Sequence, residues 1–530
     1  MAISNSVVGI CAQFLRIILT FTRPISDYVL DFLYGLFMGK TKPLPPINNE
    51  LLLMSAVDLA KKIRNRQVKC EDVMLAYIQR SRSVHPLINA ALDERYDDAL
   101  QDARDIDTFL ESGRKSPQQI EKDTPLLGVP FTCKEAIGVK DLLQVNGLVW
   151  AKGRKAPEDS VAASKYRNAG AIPVTVTNVP ETCFWWEAAN AVAGMTKNPY
   201  DNRRTVGGSS GGEGAIITAG AALIGIGNDI AGSIRIPASF CGIYGHKPST
   251  GTVSNAGAFP FGELDKNEDI DSFTSTGPMC RYVEDLPLLM RILTSNDQRI
   301  KFDEKVDFSK VKIYYMEEYP GILLKSISPI KNAVRKAAHH FEKEYGIKAI
   351  PFKMDELRYA FDVWECKLLE TGVPPFKCLL EYKTGKVDLW RELFKVFLGR
   401  SNHTLPAIYF AMVDRREKDE YYYECLRIYE AIERKFQEIF VDDAILLLPT
   451  HPEPPPHYLM TVPKYPNIGY TCIFSILGFP SSQIPTGLVN GLPIGIQAIS
   501  GRMRDHLTLA AAMELDKVFG GWRSPCPITD

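Results

Sequence analysis

Two glycine-rich turns carry the serines of this chain that are best placed for chemistry. Five glycines between positions 207 and 214 surround Ser209 and Ser210, and a second sharp turn at 230–233 ends on Ser233. Glycine lets the backbone adopt positive φ angles and approach another group closely. A serine on such a turn, beside successive free N–H groups, is placed like a nucleophile with its oxyanion hole attached. The pattern therefore predicts a serine nucleophile in this segment.

Two other interpretations of the glycine-rich segment stay open, a loop that cradles phosphate and a flexible linker. Linkers do not alternate with buried apolar segments. Between the two turns, residues 215–222 read as a short helix of small residues and residues 223–227 as a brief buried strand. The linker interpretation is therefore disfavoured.

A lysine at the end of an apolar run is the candidate base. The run 126–132 is typical of a buried strand, and its end delivers Lys134 into a loop. A lysine at a strand end is most often a surface charge. Here the apolar residues before it favour burial, and burial lowers the pKa of an amine so that it can accept a proton.

The elements around these residues alternate between short apolar strands and amphipathic helices. Ser55 reads as the N-cap of a helix, and further helices are predicted over 70–83 and 95–112. The predicted strands cover residues 126–132, 173–178, 223–227, 445–448 and 494–498.

Composition excludes several function classes. The chain has 62 Lys and Arg against 63 Asp and Glu, a net charge of −1, so we expect no nucleic-acid partner. The 11 cysteines are dispersed, odd in number and lack CxxC pairs, and the eight histidines are scattered. This distribution indicates reduced, intracellular thiols and predicts no metal site.

The N-terminus differs from the rest of the chain because it holds two apolar patches, at 7–22 and 29–38. The first patch is slightly short for a hydrocarbon core of about 30 Å and contains Arg16, so a monotopic or hairpin-like anchor is favoured over a clean span. No basic region precedes it and no small-residue cleavage site follows it, which argues against a signal peptide. An apolar arm that packs on the enzyme or on a partner subunit is the alternative. We predict a hydrophobic membrane anchor and linker over 1–40 and one domain over 41–530.

Five segments of the chain carry a resemblance to a known family. They are GGSSGGEGA, NDIAGSIRIPASFCGIYGHKPS, the lysine after GVPFTC, STGPMCRYVEDL at 275–286 and GLPIGIQAIS at 491–500. The spacing agrees as well, with 75 positions from Lys134 to Ser209 and 24 from Ser209 to Ser233. On these motifs the chain resembles the amidase signature family of serine hydrolases from about residue 52 to 520.

The resemblance implies a role for three side chains in catalysis. Ser233 is the nucleophile, Ser209 is the bridging cis-serine, and Lys134 is the base. A serine hydroxyl is a poor nucleophile at neutral pH, so a neutral amine must take its proton through the bridging serine. The same relay then protonates the leaving amine. No cofactor is implied.

Other site residues follow from the same resemblance. Its oxyanion hole consists of the backbone N–H groups of Ile230, Ala231, Gly232 and Ser233. Loops are braced by Ser210 and Arg235, although an arginine after a turn is more often a surface ion-pair partner. Cys183 and Phe184 match positions beside the scissile carbonyl, with a buried loop that packs on strand 126–132 as the alternative.

The chain departs from the family pattern at two positions. Ala231 stands where the family usually has a glycine, and a positive φ there costs an alanine about 1 kcal/mol. Asn228 stands where a threonine or serine commonly precedes the aspartate, so an amide replaces a supporting hydroxyl. Lys134, Ser209 and Ser233 are all present.

The family implies an α/β fold with a central, twisted, mixed and mostly parallel sheet covered by helices. With the hydrophobic N-terminus, the motifs look most like the membrane-associated lipid-amide branch. The expected activity is hydrolysis of fatty-acid amides, including primary amides and N-acylethanolamines, to a fatty acid and an amine through an acyl-enzyme. The expected location is an intracellular membrane, the endoplasmic reticulum or a lipid droplet, and a homodimer stays open.

Two other functions remain as alternatives. One is the glutamine-hydrolysing subunit of a tRNA-dependent amidotransferase, and the other is a non-catalytic membrane scaffold that keeps the fold. Within the helical region 287–440, apolar side chains supply surface for an acyl channel as well as for a core. The candidate channel residues are Phe361, Trp364, Trp390, Phe394 and Phe397.

Overall fold

The computed structural model describes residues 41–259, 271–321, 325–381, 387–414 and 417–529, together with Val29, Leu33, Leu36, Phe37 and Gly39. The predicted anchor over 1–40 lies outside the described residues except for those five, and it stays a prediction. Within the described ranges, no helix combines the length and the apolar character needed to cross a membrane.

One large sheet organises the described part of the chain. Its eleven strands lie in the order β1-β3-β2-β6-β8-β7-β12-β13-β11-β9-β10, and β4 and β5 form a separate ribbon. The strands are β1 Ala91–Glu94, β2 Pro130–Lys134, β3 Ile172–Thr177, β4 Ala189–Asn190, β5 Gly194–Met195, β6 Ile224–Asp229, β7 Tyr244–Lys247, β8 Ser275–Cys280, β9 Lys312–Tyr315, β10 Ile350–Pro351, β11 Ala444–Pro449, β12 Ser481–Val489 and β13 Leu492–Ile499.

The sheet is mixed, as predicted, but it is not mostly parallel. Four neighbouring pairs run parallel and six run antiparallel. The antiparallel pairs lie mainly at the centre of the sheet, where β8, β7, β12 and β13 follow one another. A tight turn suffices to join antiparallel strands, and such a turn joins β12 to β13.

Helices surround this sheet. They are α1 Ala56–Arg64, α2 Cys70–Ile88, α3 Tyr96–Glu111, α4 Pro117–Asp123, α5 Val161–Asn168, α6 Gly211–Thr218, α7 Arg235–Phe240, α8 Asp285–Leu293, α9 Ser328–Tyr345, α10 Ala360–Glu370, α11 Phe376–Leu380, α12 Leu389–Phe397, α13 Leu405–Val413, α14 Glu420–Ile439, α15 Gly469–Ile476 and α16 Asp505–Phe519. Helix α1 begins as predicted, because the Ser55 side chain accepts a hydrogen bond from the amide of Asp58.

All five predicted strands are strands, with shifted bounds. The largest shift is at β2, which begins at Pro130 instead of residue 126. Gly128 has a φ of 78°, which interrupts an extended run, so the strand starts only after it. Strand β2 ends at Lys134 and therefore places this residue at the edge of the sheet.

The two ends of the described domain meet. The amide of Ile47 donates to the carbonyl of Pro527 at 2.9 Å, and the amide of Thr529 donates to the carbonyl of Ile47 at 2.9 Å. Leu44 and Ile47 are buried beside this contact. Residues 44–47 are therefore part of the folded body.

Candidate active site

Two neighbouring parallel strands bring the candidate base to the candidate serines. Strand β2 pairs with β6 so that Cys133 lies opposite Ile226. Their carboxyl ends, Lys134 and Asn228, consequently meet at one edge of the sheet. Between these strands in sequence, the chain returns through the glycine-rich turn at 207–210 and enters α6.

The Lys134 amine has two close hydrogen-bond partners. It donates to Ser209 Oγ at 2.6 Å and to Asn228 Oδ1 at 2.5 Å. The side-chain oxygen of Asn228 thus holds the lysine amine directly. Burial lowers the pKa of Lys134, although Cys183 and Asp229 act in the opposite direction. A lowered pKa favours the neutral amine that a base requires.

Close packing holds the Ser209 turn against the sheet. A Cβ on Gly212 would lie 2.5 Å from the backbone nitrogen of Asn178, so only glycine fits there. From the first turn of α6, Glu213 accepts hydrogen bonds from the hydroxyls of Thr132 on β2 and Thr177 on β3. Burial raises the pKa of Glu213 to about 8. The peptide bond between Gly208 and Ser209 is cis.

The second turn is organised by Asp229. One carboxylate oxygen accepts the amide of Gly232 at 2.7 Å, and the other accepts the amide of Ile234 at 3.1 Å. Arg235 is fully buried and pairs with Asp229 through two hydrogen bonds of 3.0 and 2.9 Å. Burial raises the pKa of Asp229, but Arg235 and Lys247 outweigh it and lower the value to about 2. Arg235 is thus a buried brace of the turn and not a surface ion-pair partner.

The two serine turns lie against each other. The amide of Ser210 donates to the carbonyl of Ser233 at 3.1 Å. The Ser210 hydroxyl faces the carbonyl of Asn228 at 3.4 Å. Ser233 is 7% exposed and lines a cavity. Ser210 therefore links the loop of the predicted bridging serine to that of the predicted nucleophile.

The four predicted oxyanion donors do not share one environment. The N–H of Gly232 is committed to Asp229, which corrects the expectation of four available donors. In the described residues, no hydrogen bond of the Ile230, Ala231 or Ser233 amide is found. The carbonyls in the same turn are fixed, because Trp364 Nε1 donates to that of Ile230 at 3.1 Å and Thr471 Oγ1 to that of Ala231 at 2.6 Å.

Alanine at position 231 carries no penalty for a left-handed backbone. Ala231 does not adopt a positive φ, whereas Gly232 has a φ of 125°. A Cβ on Gly232 would lie 2.3 Å from Thr471 Oγ1. The turn therefore requires glycine at 232 and accepts alanine at 231.

An apolar cavity lined mainly by aromatic and aliphatic side chains lies in front of Ser233. Cys183 and Phe184 line it. Phe361 and Trp364 also line it, in agreement with the predicted channel. The sequence analysis missed several other walls of the cavity, which are Trp185, Trp186, Ile236, Phe410, Tyr465 and Ile468.

The remaining predicted channel residues lie on the surface. Trp390, Phe394 and Phe397 are 76, 65 and 80% exposed on α12. They do not line the cavity. An amphipathic pattern reports that a helix has an apolar face but not what covers that face, and this is why the prediction was wrong.

Asp229 and Thr471 are the residues of the turn that the sequence analysis missed. Asp229 had a local signal, since an aspartate directly before a tight turn commonly accepts backbone N–H groups within it. Thr471 had none, because it lies 240 positions from its partner Ala231.

A sequence profile of the amidase family matches residues 72–509. The chain belongs to the amidase family. This confirms the resemblance to the amidase signature motifs.

Individual proteins resemble this amidase over most of its length. It is 40% identical over 495 residues to fatty-acid amide hydrolase 2-A of Danio rerio, covering 91% of this chain and 92% of that protein. It is 38% identical over 492 residues to fatty-acid amide hydrolase 2 of Homo sapiens, with the same coverage of 91% and 92%. The solved structure of a fatty acid amide hydrolase superposes with a TM-score of 0.72 at 23% identity, covering 93% of this amidase and 89% of that chain.

Proposed function

We propose that this amidase hydrolyses fatty-acid amides, including primary amides and N-acylethanolamines, to a fatty acid and an amine. The observation that carries the proposal is the aromatic-lined cavity that opens directly on Ser233. An apolar cavity with few polar groups at one end suits a long acyl chain that ends in a carbonyl. The names of the relatives in fish and human agree with this substrate class.

The proposed reaction uses a serine, a bridging serine and a lysine. Lys134, as the neutral amine, takes the proton of Ser209, which takes that of Ser233 as its oxygen attacks the amide carbonyl. Backbone N–H groups at 230, 231 and 233 stabilise the oxyanion. The relay then delivers the proton to the leaving nitrogen, and water hydrolyses the acyl-enzyme. The 2.6 Å contact between Lys134 Nζ and Ser209 Oγ supports the first transfer.

A substrate panel tests the proposal. We expect the full chain to hydrolyse oleamide and an N-acylethanolamine faster than a short-chain amide, and to leave glutamine intact. The Ser233→Ala variant should lose turnover and labelling by a fluorophosphonate probe. Ser309→Ala, at an exposed serine that does not line the cavity, should keep both. Preference for glutamine would instead favour an amidotransferase subunit, and labelling of Ser233→Ala at the same site would reject the nucleophile.

We also propose that the enzyme acts at an intracellular membrane, the endoplasmic reticulum or a lipid droplet. Helix α12 supports this proposal, because it turns Trp390, Phe394 and Phe397 outward while its Glu392 is buried. An amphipathic helix with its apolar face outward suits the interfacial region of a bilayer. The alternative is that the exposed face of α12 packs against the same face of a second copy of the chain.

A further inference from the structure

We propose that the thiol of Cys183 is a site of covalent modification by α,β-unsaturated carbonyl compounds with an apolar chain, and that Lys134 serves as the base. The proposal concerns a reaction other than amide hydrolysis. It rests on the position of the sulfur, on an unpartnered donor beside it and on the neighbouring amine.

The Cys183 side chain faces the acyl cavity from the wall beside the serines. The residue is half-buried, lines the same cavity as Ser233 and has a φ of 61°. Its Sγ donates to Asn146 Oδ1 at 2.8 Å. Lys134 donates to Ser209 Oγ at 2.6 Å and is near enough to the sulfur to act on it electrostatically.

A buried donor next to the sulfur has no partner in the described residues. Asn146 is fully buried, and its Nδ2 makes no hydrogen bond there. Glu135 accepts the amides on either side, at Val145 and Gly147, and so fixes the segment. Because Oδ1 and Nδ2 of a carboxamide exchange places on a half-turn, Asn146 can present Nδ2 to the sulfur. That donor suits a thiolate, which accepts hydrogen bonds and donates none.

Access distinguishes Cys183 from the other cysteines that the structure describes. Eight of the ten are buried, and only Cys183 and Cys378 are half-buried. Cys378 does not line the cavity. It therefore serves as an internal comparison within the same protein.

The thiol needs a base to react. Burial raises the pKa of Cys183 to about 11, although Lys134 acts against that shift. The thiol is therefore protonated at neutral pH, and the thiolate is the nucleophile. Burial lowers the pKa of Lys134, so its amine can take the thiol proton.

The step is an addition that balances without an oxidant. The proton moves from Sγ to Lys134 Nζ, and the sulfur forms a bond to the β-carbon. The π electrons of the carbon–carbon double bond move to the α-carbon, which takes the proton back from Nζ. The thioether then fills the cavity in front of Ser233, and the site is closed to an acyl chain.

The test compares N-dodecylmaleimide with N-ethylmaleimide on the full-length Ser233→Ala protein, followed by digestion and mass spectrometry. We expect the dodecyl reagent to alkylate Cys183 at least about 10-fold faster than Cys378, because the cavity binds its chain, and the ethyl reagent to show a smaller preference. Equal rates at the two cysteines with both reagents would overturn the proposal. No amide substrate is used and the nucleophile is absent, so the result is independent of the proposed amidase reaction.

Lys134→Met in the same background tests the base. We expect the rate at Cys183 to fall about 100-fold while the rate at Cys378 stays unchanged. An unchanged rate at Cys183 rejects Lys134 as the base. If this variant fails to fold, Cys378 and the buried cysteines also become reactive, and the chain-length preference in the Ser233→Ala protein then decides the proposal alone. Wild-type enzyme should lose fluorophosphonate labelling in step with alkylation of Cys183, and full labelling of an alkylated enzyme would refute closure of the site.

Discussion

At the scale of single residues, the site depends on charged groups that burial has removed from water. Lys134 and Asp229 are both fully buried, and their pKa values move in directions that suit different tasks. The lysine is pushed towards its neutral form and can accept a proton. The aspartate is held ionised by Arg235 and can fix backbone N–H groups.

The direction of the Lys134 shift predicts a pH profile. Because only the neutral amine accepts a proton, kcat/KM for an amide should rise with pH and level off at a lower pH than an ordinary lysine would give. Lys134→Ala should lower amide turnover by about 100-fold or more and remove the rise, while a matched ester loses less, since its leaving group needs no proton. Steady-state rates on the amide and ester pair measure this. A flat profile in the wild type together with full activity in the variant would exclude the role.

The Asp229 shift predicts how stability depends on pH. The pKa of Asp229 is about 2 in the folded protein against an ordinary value of 3.8. The carboxylate therefore stabilises the fold above about pH 4, by about 2 kcal/mol, and this contribution is lost as pH falls towards 2. Asp229→Asn leaves the buried Arg235 without its counter-charge and should cost about 3–5 kcal/mol at pH 7. Urea unfolding across this pH range measures both.

The matched control for Asp229 is an exposed aspartate that also pairs with an arginine. The side chain of Asp303 is 88% exposed and lies 2.7 Å from Arg291. Asp303→Asn should leave the free energy of unfolding nearly unchanged, because water screens an exposed ion pair. Equal effects of the two substitutions would show that the Asp229 pair is not what holds the turn.

At the scale of elements, a buried polar contact ties helix α13 to the short turn at 181–183. Glu181 begins the short 3₁₀ turn Glu181–Cys183, and its carboxylate accepts His403 Nδ1 at 2.8 Å and the Thr404 amide at 2.6 Å. Thr404 caps α13, whose Phe410 lines the cavity. The contact therefore holds one wall of the cavity against the loop that carries Cys183.

Cutting this contact should affect long substrates most. His403→Ala removes one of two buried partners of Glu181, at a cost of about 1–3 kcal/mol. We expect KM for a long-chain amide to rise more than KM for a short one, because only the long chain reaches α13. His339→Ala is the control, since its side chain is 74% exposed. Parallel changes in both KM values would argue that the contact only stabilises the fold.

Local pattern was enough to predict some of these elements and not others. The strand that delivers Lys134 and the glycine turns around Ser209 and Ser233 could be predicted, because burial, glycine and apolar runs are local signals. The contact of Thr471 with Ala231 and five of the six antiparallel strand pairs could not, since they depend on partners distant in sequence. The outward face of α12 was likewise invisible, because the sequence contains its apolar stripe but not its surroundings.

At the scale of the whole molecule, two apolar features bear on how the enzyme meets its substrate. One is the segment 1–40, and the other is the exposed face of α12. Lys134, Ser209 and Ser233 all lie in the folded body that begins near Leu44. The two roles, reactivity and membrane contact, should therefore be separable.

Deletion of residues 1–40 should keep Ser233 reactive towards a fluorophosphonate and lower, but not abolish, co-sedimentation with lipid vesicles. Adding Trp390→Ser and Phe397→Ser should remove the remaining binding, since each exposed aromatic contributes apolar area at about 25 cal/mol per Å². Turnover of a long-chain amide should fall more than that of a short soluble amide. Val441→Ser, at a residue 70% exposed outside α12, is the control.

Two results would contradict this division of roles. In the first, the truncated protein binds no vesicles and still prefers long-chain amides to the same degree as the full chain. That result would show that segment 1–40 only targets the protein to a membrane and does not help it take up substrate. Loss of a dimer on substitution of Trp390 and Phe397, without any change in vesicle binding, would assign the face to a second copy of the chain.

The hydrogen bonds between Ile47 and the C-terminal residues Pro527 and Thr529 have a consequence for how the protein can be rebuilt. Because the two ends of the folded body meet, a short linker could join them, and the polypeptide could be reopened in an exposed loop as a circular permutant. The segment 1–40 would then attach at a different face, which would vary the direction of the proposed membrane contact without any change in the residues that line the cavity.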